Sequence, residues 1–147
     1  MRPMEYNAEL WRKMKPEKLY QGQVRGFDVV IVNMGSHPCA YIALDEGHPL
    51  TEKLKDTEAG YDVLDLPVHG GLTFSGYGNG IFLDDKTFWI GWDYAHTGDY
   101  IDMGLVGEAM KLMADRNAKR WTTEEIYNEI EGTIPYLIRE LTEHEKE

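Results

Sequence analysis

Apolar positions in this chain change their spacing once. Up to Trp92 they come in short runs broken by glycine, proline and acidic turns; from Leu105 onward they recur every three or four residues. Val24 to Met34 reads as a strand, because Phe27-Asp28-Val29-Val30-Ile31-Val32 is rich in β-branched residues. Gly35-Ser36-His37-Pro38 is a turn and Cys39 to Leu44 a second strand, so the pair predicts an antiparallel hairpin. Asp45 to Gly60 is a polar connection with one helical turn around Leu50 to Leu54. Tyr61 to His69 alternates loosely at Val63, Leu64, Leu66 and Val68, which predicts a strand running into Gly70-Gly71. Gly76 to Gly80 is a loop. Asp84-Asp85-Lys86 turns the chain between Ile81-Phe82-Leu83 and Thr87 to Trp92, the strongest strand, expected to be central and buried on both faces.

Helical signals lie at the two ends. Asn7 caps a short helix with Leu10, Trp11 and Met14 on one face, ended by Pro16. Val106, Ala109, Met110 and Met113 fall at helical spacing, as core rather than ligands. Thr122 and Glu125 form a capping box after Trp121, which is expected to anchor the following helix on the sheet. Ile126, Ile130, Ile134, Leu137, Ile138 and Leu141 supply its buried stripe, with a kink or break expected at Pro135. The fold predicted is α+β: a mainly antiparallel sheet of about five strands packed against C-terminal helices. The expectation is one domain over residues 1–147, with a basic helical extension (1–26), a sheet with motif loops (27–100) and a helical region (101–147).

Composition narrows the setting. The chain has 147 residues, enough for one buried core, with 42% hydrophobic and 12% aromatic content. No apolar run approaches the roughly 20 residues of a membrane span, and the N-terminus has no apolar signal core. A lone cysteine, Cys39, neither staples a fold nor builds a zinc-thiolate cage. Together these predict a cytoplasmic protein without membrane association. Net charge is -11. Residues 1–26 carry six Lys/Arg against three Asp/Glu, and the rest nine against 23. Such an acidic body argues against binding nucleic-acid backbones and leaves a small polar ligand or a host protein as the expected partner.

Candidate chemistry gathers in four phrases: Gly47-His48-Pro49, His69-Gly70-Gly71-Leu72-Thr73-Phe74, Trp92-Asp93 and His96-Thr97-Gly98-Asp99. Asp93, His96 and Asp99 stand three apart in a loop that can converge their side chains. With His69, they are a ligand set for a divalent metal, and His69, His96 and Asp93 are equally an acid–base set. His48, Thr73, Ser75 and Asp99 are ligand-binding candidates. No base is readable beside Thr73 or Ser75 to make either a nucleophile. Gly76 to Gly80 lacks the lysine and the strand–helix frame of a phosphate loop. Taken singly, the same residues are also ordinary turn chemistry: His69 bonding across a tight turn, Asp93 capping loop N–H groups, Asp99 beside Gly98. His37 and His144 fall outside the group, and both are expected to be solvated.

On these phrases the chain resembles a family of small uncharacterised proteins of bacteriophage and prophage genomes. The resemblance runs through Tyr41, Gly47-His48-Pro49-Leu50, Val68 to Ser75, Gly91 to Asp99 and Trp121-Thr122, over roughly residues 27–145. Tyr94 stands where that family often carries cysteine, so no thiol role is expected there. The resemblance implies a phage or mobile-element setting, with an accessory protein acting on a host or phage molecule in the bacterial cell. Two functions follow as expectations. One is a His/Asp polar site handling a metal or a small molecule such as a nucleotide. The other is a non-enzymatic acidic protein that binds and inhibits a host protein. A third reading is that the polar phrases only brace turns.

Overall fold

The computed structural model describes residues 15–57, 63–101 and 118–146. Their order is β1 (Glu17–Val24), β2 (Phe27–Asn33), β3 (Pro38–Leu44), α1 (Pro49–Lys55), β4 (Phe74–Tyr77), β5 (Phe88–Asp93) and α2 (Thr123–Glu145). The strands form one five-stranded sheet in the order β1-β2-β3-β5-β4. Every neighbouring pair is antiparallel. Arg25 and Gly26 join β1 to β2 with φ of 50° and 88°, the two positive values that a tight two-residue hairpin requires.

Strict alternation divides the sheet into two apolar faces. Val29, Ile31, Ala40, Ile42, Ile90 and Trp92 point to one face, and Ile126, Ile130, Ile134 and Leu137 of α2 close over them together with Leu50 and Leu54 of α1. Val30, Val32, Tyr41 and Trp89 point to the other, covered by Phe82 and Leu83. The strand from Phe88 is buried on both faces, as its sequence predicts, and sits between β3 and β4.

Local chemistry explains the helix boundaries. At α1, His48 is the N-cap and its Nδ1 accepts the Leu50 N–H at 3.0 Å, with Pro49 in the first turn, where no N–H is needed. At α2 the predicted capping box is formed in both directions by Thr122 and Glu125. Pro135 does not break α2. Pro135 and Glu131 both face solvent, so the carbonyl that the proline leaves unbonded is open to water.

Several expectations are corrected. Residues 17–24, assigned by sequence to a helical extension, form the edge strand β1. Their period-two burial at Tyr20, Gly22 and Val24 is masked by polar neighbours. Leu64, Leu66 and Val68 are buried alternately as expected, yet the segment pairs with none of the five strands and packs its side chains into the core as extended chain. Ile81 to Leu83, on the near side of the Asp84-Asp85-Lys86 turn, is a bend that buries Phe82 and Leu83 as a cover. Ile138 leaves the buried stripe and is 44% exposed. The helices expected around Leu10 to Met14 and Val106 to Met113 lie outside the described residues. None of the described helices is long and apolar enough to cross a membrane.

The stripe makes a direct comparison possible. Ile130→Ala should destabilise the protein by about 2–5 kcal/mol, whereas Ile138→Ala should stay within about 0.5 kcal/mol of wild type. Urea denaturation of the two variants side by side checks this.

Candidate functional site

The C-terminal end of β5 carries the site. Beyond Asp93 the backbone stays tied to the start of β3 through Tyr94 N–H to Pro38 O, 3.0 Å, then turns as the Asp93 carboxylate accepts the Ala95 N–H at 3.1 Å. Asp99 N–H bonds back to His96 O at 2.9 Å, and Gly98 takes the φ of 92° that the turn demands. A bridge between Asp99 and Lys119 brings Trp121 alongside. From the other direction, Val68 O accepts Gly71 N–H at 2.9 Å across a turn with Gly70 at φ 71°. That turn presents His69 to Asp99.

Asp99 is the hub. Its side chain is 4% exposed, and its carboxylate accepts His69 Nε2–H at 2.7 Å, His96 N–H at 2.9 Å and Trp121 Nε1–H at 2.8 Å. Burial opposes its charge, but the His96 amide, the His69 ring and the Trp121 indole outweigh it and hold the carboxyl below the ordinary aspartate range. An ionised Asp99 only accepts, which puts a proton on His69 Nε2 and leaves Nδ1 as the lone pair of the neutral ring. No described residue bonds to that Nδ1, and the His69 side chain is 24% exposed.

The remaining rings pack around His69. Tyr94 lies parallel to it at 5.0 Å, Trp121 is 4.8 Å away, and His96 meets it edge-on at 5.4 Å. His96 Nε2 stands 3.1 Å from Asp93 Oδ1 but out of hydrogen-bond alignment, so the two side chains are close without being bonded. The His96 ring covers Gly70, where a Cβ would overlap it. Beneath, the fully buried Tyr94 gives its phenol proton to Glu129 at 2.6 Å. Burial first, then Glu129, push that phenol far above its usual range, so it stays neutral.

His69, His96, Asp93 and Asp99 are thus brought together, and other candidates are not. His48 is spent on capping α1 and on Glu145, 3.0 Å from its Nε2. Glu145 ends α2, so His48 lies about 33 Å along that helix from the Trp121 end. There it helps to line a separate cavity of about 480 Å³. Thr73 and Ser75 belong to the edge region of β4; Thr73 is exposed, and its N–H bonds to Gly91 O at 3.0 Å.

Two expectations about histidines are overturned. His37 is half-buried, not solvated. Burial lowers its pKa, Asp93 opposes that, and His96 adds to it, so His37 belongs electrostatically to the cluster. Pro38 pairing at the start of β3 carries it there, a contact between distant segments that local sequence does not reveal. His144 lies inside α2 with its side chain 12% exposed, 3.9 Å from Glu140. Glu129 escaped the sequence reading altogether. The signal was present: Glu129 falls at i+3 from Ile126 and next to Ile130, a carboxylate on the apolar stripe.

The metal expectation gains no support. Among the described residues no three His, Cys, Asp or Glu side chains are grouped to hold an ion. Asp99, the best-placed ligand, already has both oxygens engaged.

The fold and cluster define an α+β protein with a buried aspartate orienting a histidine at one end of an antiparallel sheet. Comparison with known protein families, curated proteins and solved structures finds no match.

Two outcomes test this geometry. Gly70→Ala and Gly71→Ala both place a side chain at positive φ, costing about 1–2 kcal/mol, but only the first collides with His96. Gly70→Ala should therefore be the more destabilising of the two in chemical denaturation. The depressed Asp99 pKa gives the second. Its contribution to stability is complete above the unfolded aspartate pKa of about 3.9 and is lost as pH falls through the lower folded value. The stability gap between wild type and Asp99→Asn should be constant near neutrality and shrink below about pH 4.

Proposed function

We propose that this chain is an accessory protein of phage or prophage type whose His–Asp cluster binds a small polar molecule and performs acid–base chemistry on it. The supporting observation is the 2.7 Å bond from His69 Nε2 to buried Asp99, with His69 Nδ1 unbonded among the described residues. A buried carboxylate on one imidazole nitrogen fixes the tautomer and the ring orientation, and it stabilises the imidazolium that forms when the other nitrogen takes a proton. In this reading His69 is the acid–base group, Asp99 its orienting partner, and His96 with Asp93 the ligand contacts beside it. Thr73 and Ser75 are given no nucleophilic role in this reading, since no base among the described residues is bonded to either.

An anionic ligand of the nucleotide class suits the rim. Lys119 lies 4.1 Å over the Trp121 ring, which itself packs on His69, and the neighbouring Arg120 lies 3.8 Å over Tyr100, so two cations flank Trp121 and Asp99 in an otherwise acidic chain. Lys119 also pairs with Glu125 at 2.8 Å, so Arg120 is the freer of the two. The second reading, an acidic binder of a host protein, draws on Tyr136 and Ile138, 48% and 44% exposed on α2 among its glutamates. It does not account for the buried Asp99.

The test is a panel of nucleoside 5′-phosphates, followed by calorimetry for binding and by chromatography for turnover. Wild type should bind at least one member, and His69→Gln should weaken that binding tenfold or more at a temperature where the variant is still fully folded. No binding by wild type, or equal binding by His69→Gln, would overturn the proposal.

A further inference from the structure

A carboxylate on the buried stripe of a helix is costly unless its oxygens are bonded. Glu129 meets that requirement in an unusual way. A single oxygen, Oε1, accepts Tyr94 Oη–H at 2.6 Å, Trp92 Nε1–H at 3.2 Å and the backbone N–H of His69 at 3.2 Å. The Trp92 indole shares its proton with Tyr94 Oη at 3.0 Å, so the three donors interlock. Two of them control the same object. One is the main chain of His69; the other is the phenol of the ring on which the His69 imidazole lies, with only 6° between the planes.

We infer that Glu129 is the positioning residue of the His69 site, clamping both the backbone of His69 and the aromatic plate beneath its imidazole. Asp99 then needs only to set rotation within the plane of the ring, through Nε2. The two carboxylates have separate roles. Asp99 touches the imidazole nitrogen, and Glu129 touches none of the reactive atoms. The same arrangement makes α2 part of the site rather than only its cover, because Glu129 is the point at which helix, β5 and the His69 turn meet. This inference rests on the proposed role of His69 but is measurable without any ligand.

The experiment is ¹H–¹⁵N NMR of the imidazoles in the full chain, which reports tautomer and exchange at each histidine. Wild type should show His69 as a single Nε2–H tautomer. Glu129→Ala should give mixed or exchange-broadened His69 signals and leave those of His48, at the far end of α2, in place. Glu129→Gln, whose amide oxygen can accept the same protons, should restore the wild-type His69 pattern. Should Glu129→Ala fail to fold, Tyr94→Phe keeps the ring and removes its tie to Glu129, and it should disturb the His69 signals in the same direction. Unchanged His69 signals in the variant that folds would overturn the inference, as would equal disturbance of His48 and His69, which is the mark of general loosening. Failure of every nucleotide to bind wild type would remove the proposed function and leave this result standing.

Discussion

Almost everything at the working end of this protein depends on one buried charge. An aspartate that is nearly inaccessible to water loses several kcal/mol of solvation if left alone. Asp99 avoids that cost by drawing in a ring nitrogen, a backbone amide and an indole from three separate segments. The turn after Val68, the loop after β5 and the approach to α2 are therefore held by a common acceptor. Remove it and three donors lose their partner at once, each at a cost of about 1–3 kcal/mol if it stays buried.

That dependence explains why parts of the architecture were legible in the sequence and parts were not. Elements decided by local chemistry were readable: the β2–β3 hairpin from its β-branched runs, the capping box from Thr122 and Glu125, and central β5 from its aromatics. Elements decided by what lies next to them were not. Leu64, Leu66 and Val68 alternate like a strand and are buried like one, but strand identity needs a hydrogen-bonded partner, and none of the five strands pairs with them. β1 has the reverse problem, since its partner is present but its exposed edge is polar enough to hide the period.

The site follows the same rule. The histidines and aspartates near glycine stand out in the sequence because such residues fill cores poorly, and four of them do converge. Which atom faces which does not, and that is where the metal expectation weakened: the same carboxylate suits a cation or three N–H donors, and only geometry chooses. The sequence sets His37 apart as solvated and gives no prominence to Glu129 for a related reason. Each reaches the cluster from an element whose own pattern has another explanation, a turn before proline in one case and a helix stripe in the other.

Cys39 acquires an unplanned use from its place in the sheet. It pairs in register with Asp93, directly at the root of the site, and is packed into the apolar face behind it. Burial above all, with Asp93 adding to it, drives its thiol far above the usual cysteine range, so the reactive thiolate is suppressed while the sheet stays closed. As the chain's sole cysteine, it is a native chemical clock: the rate at which a thiol reagent finds it counts how often this end of the molecule breathes open.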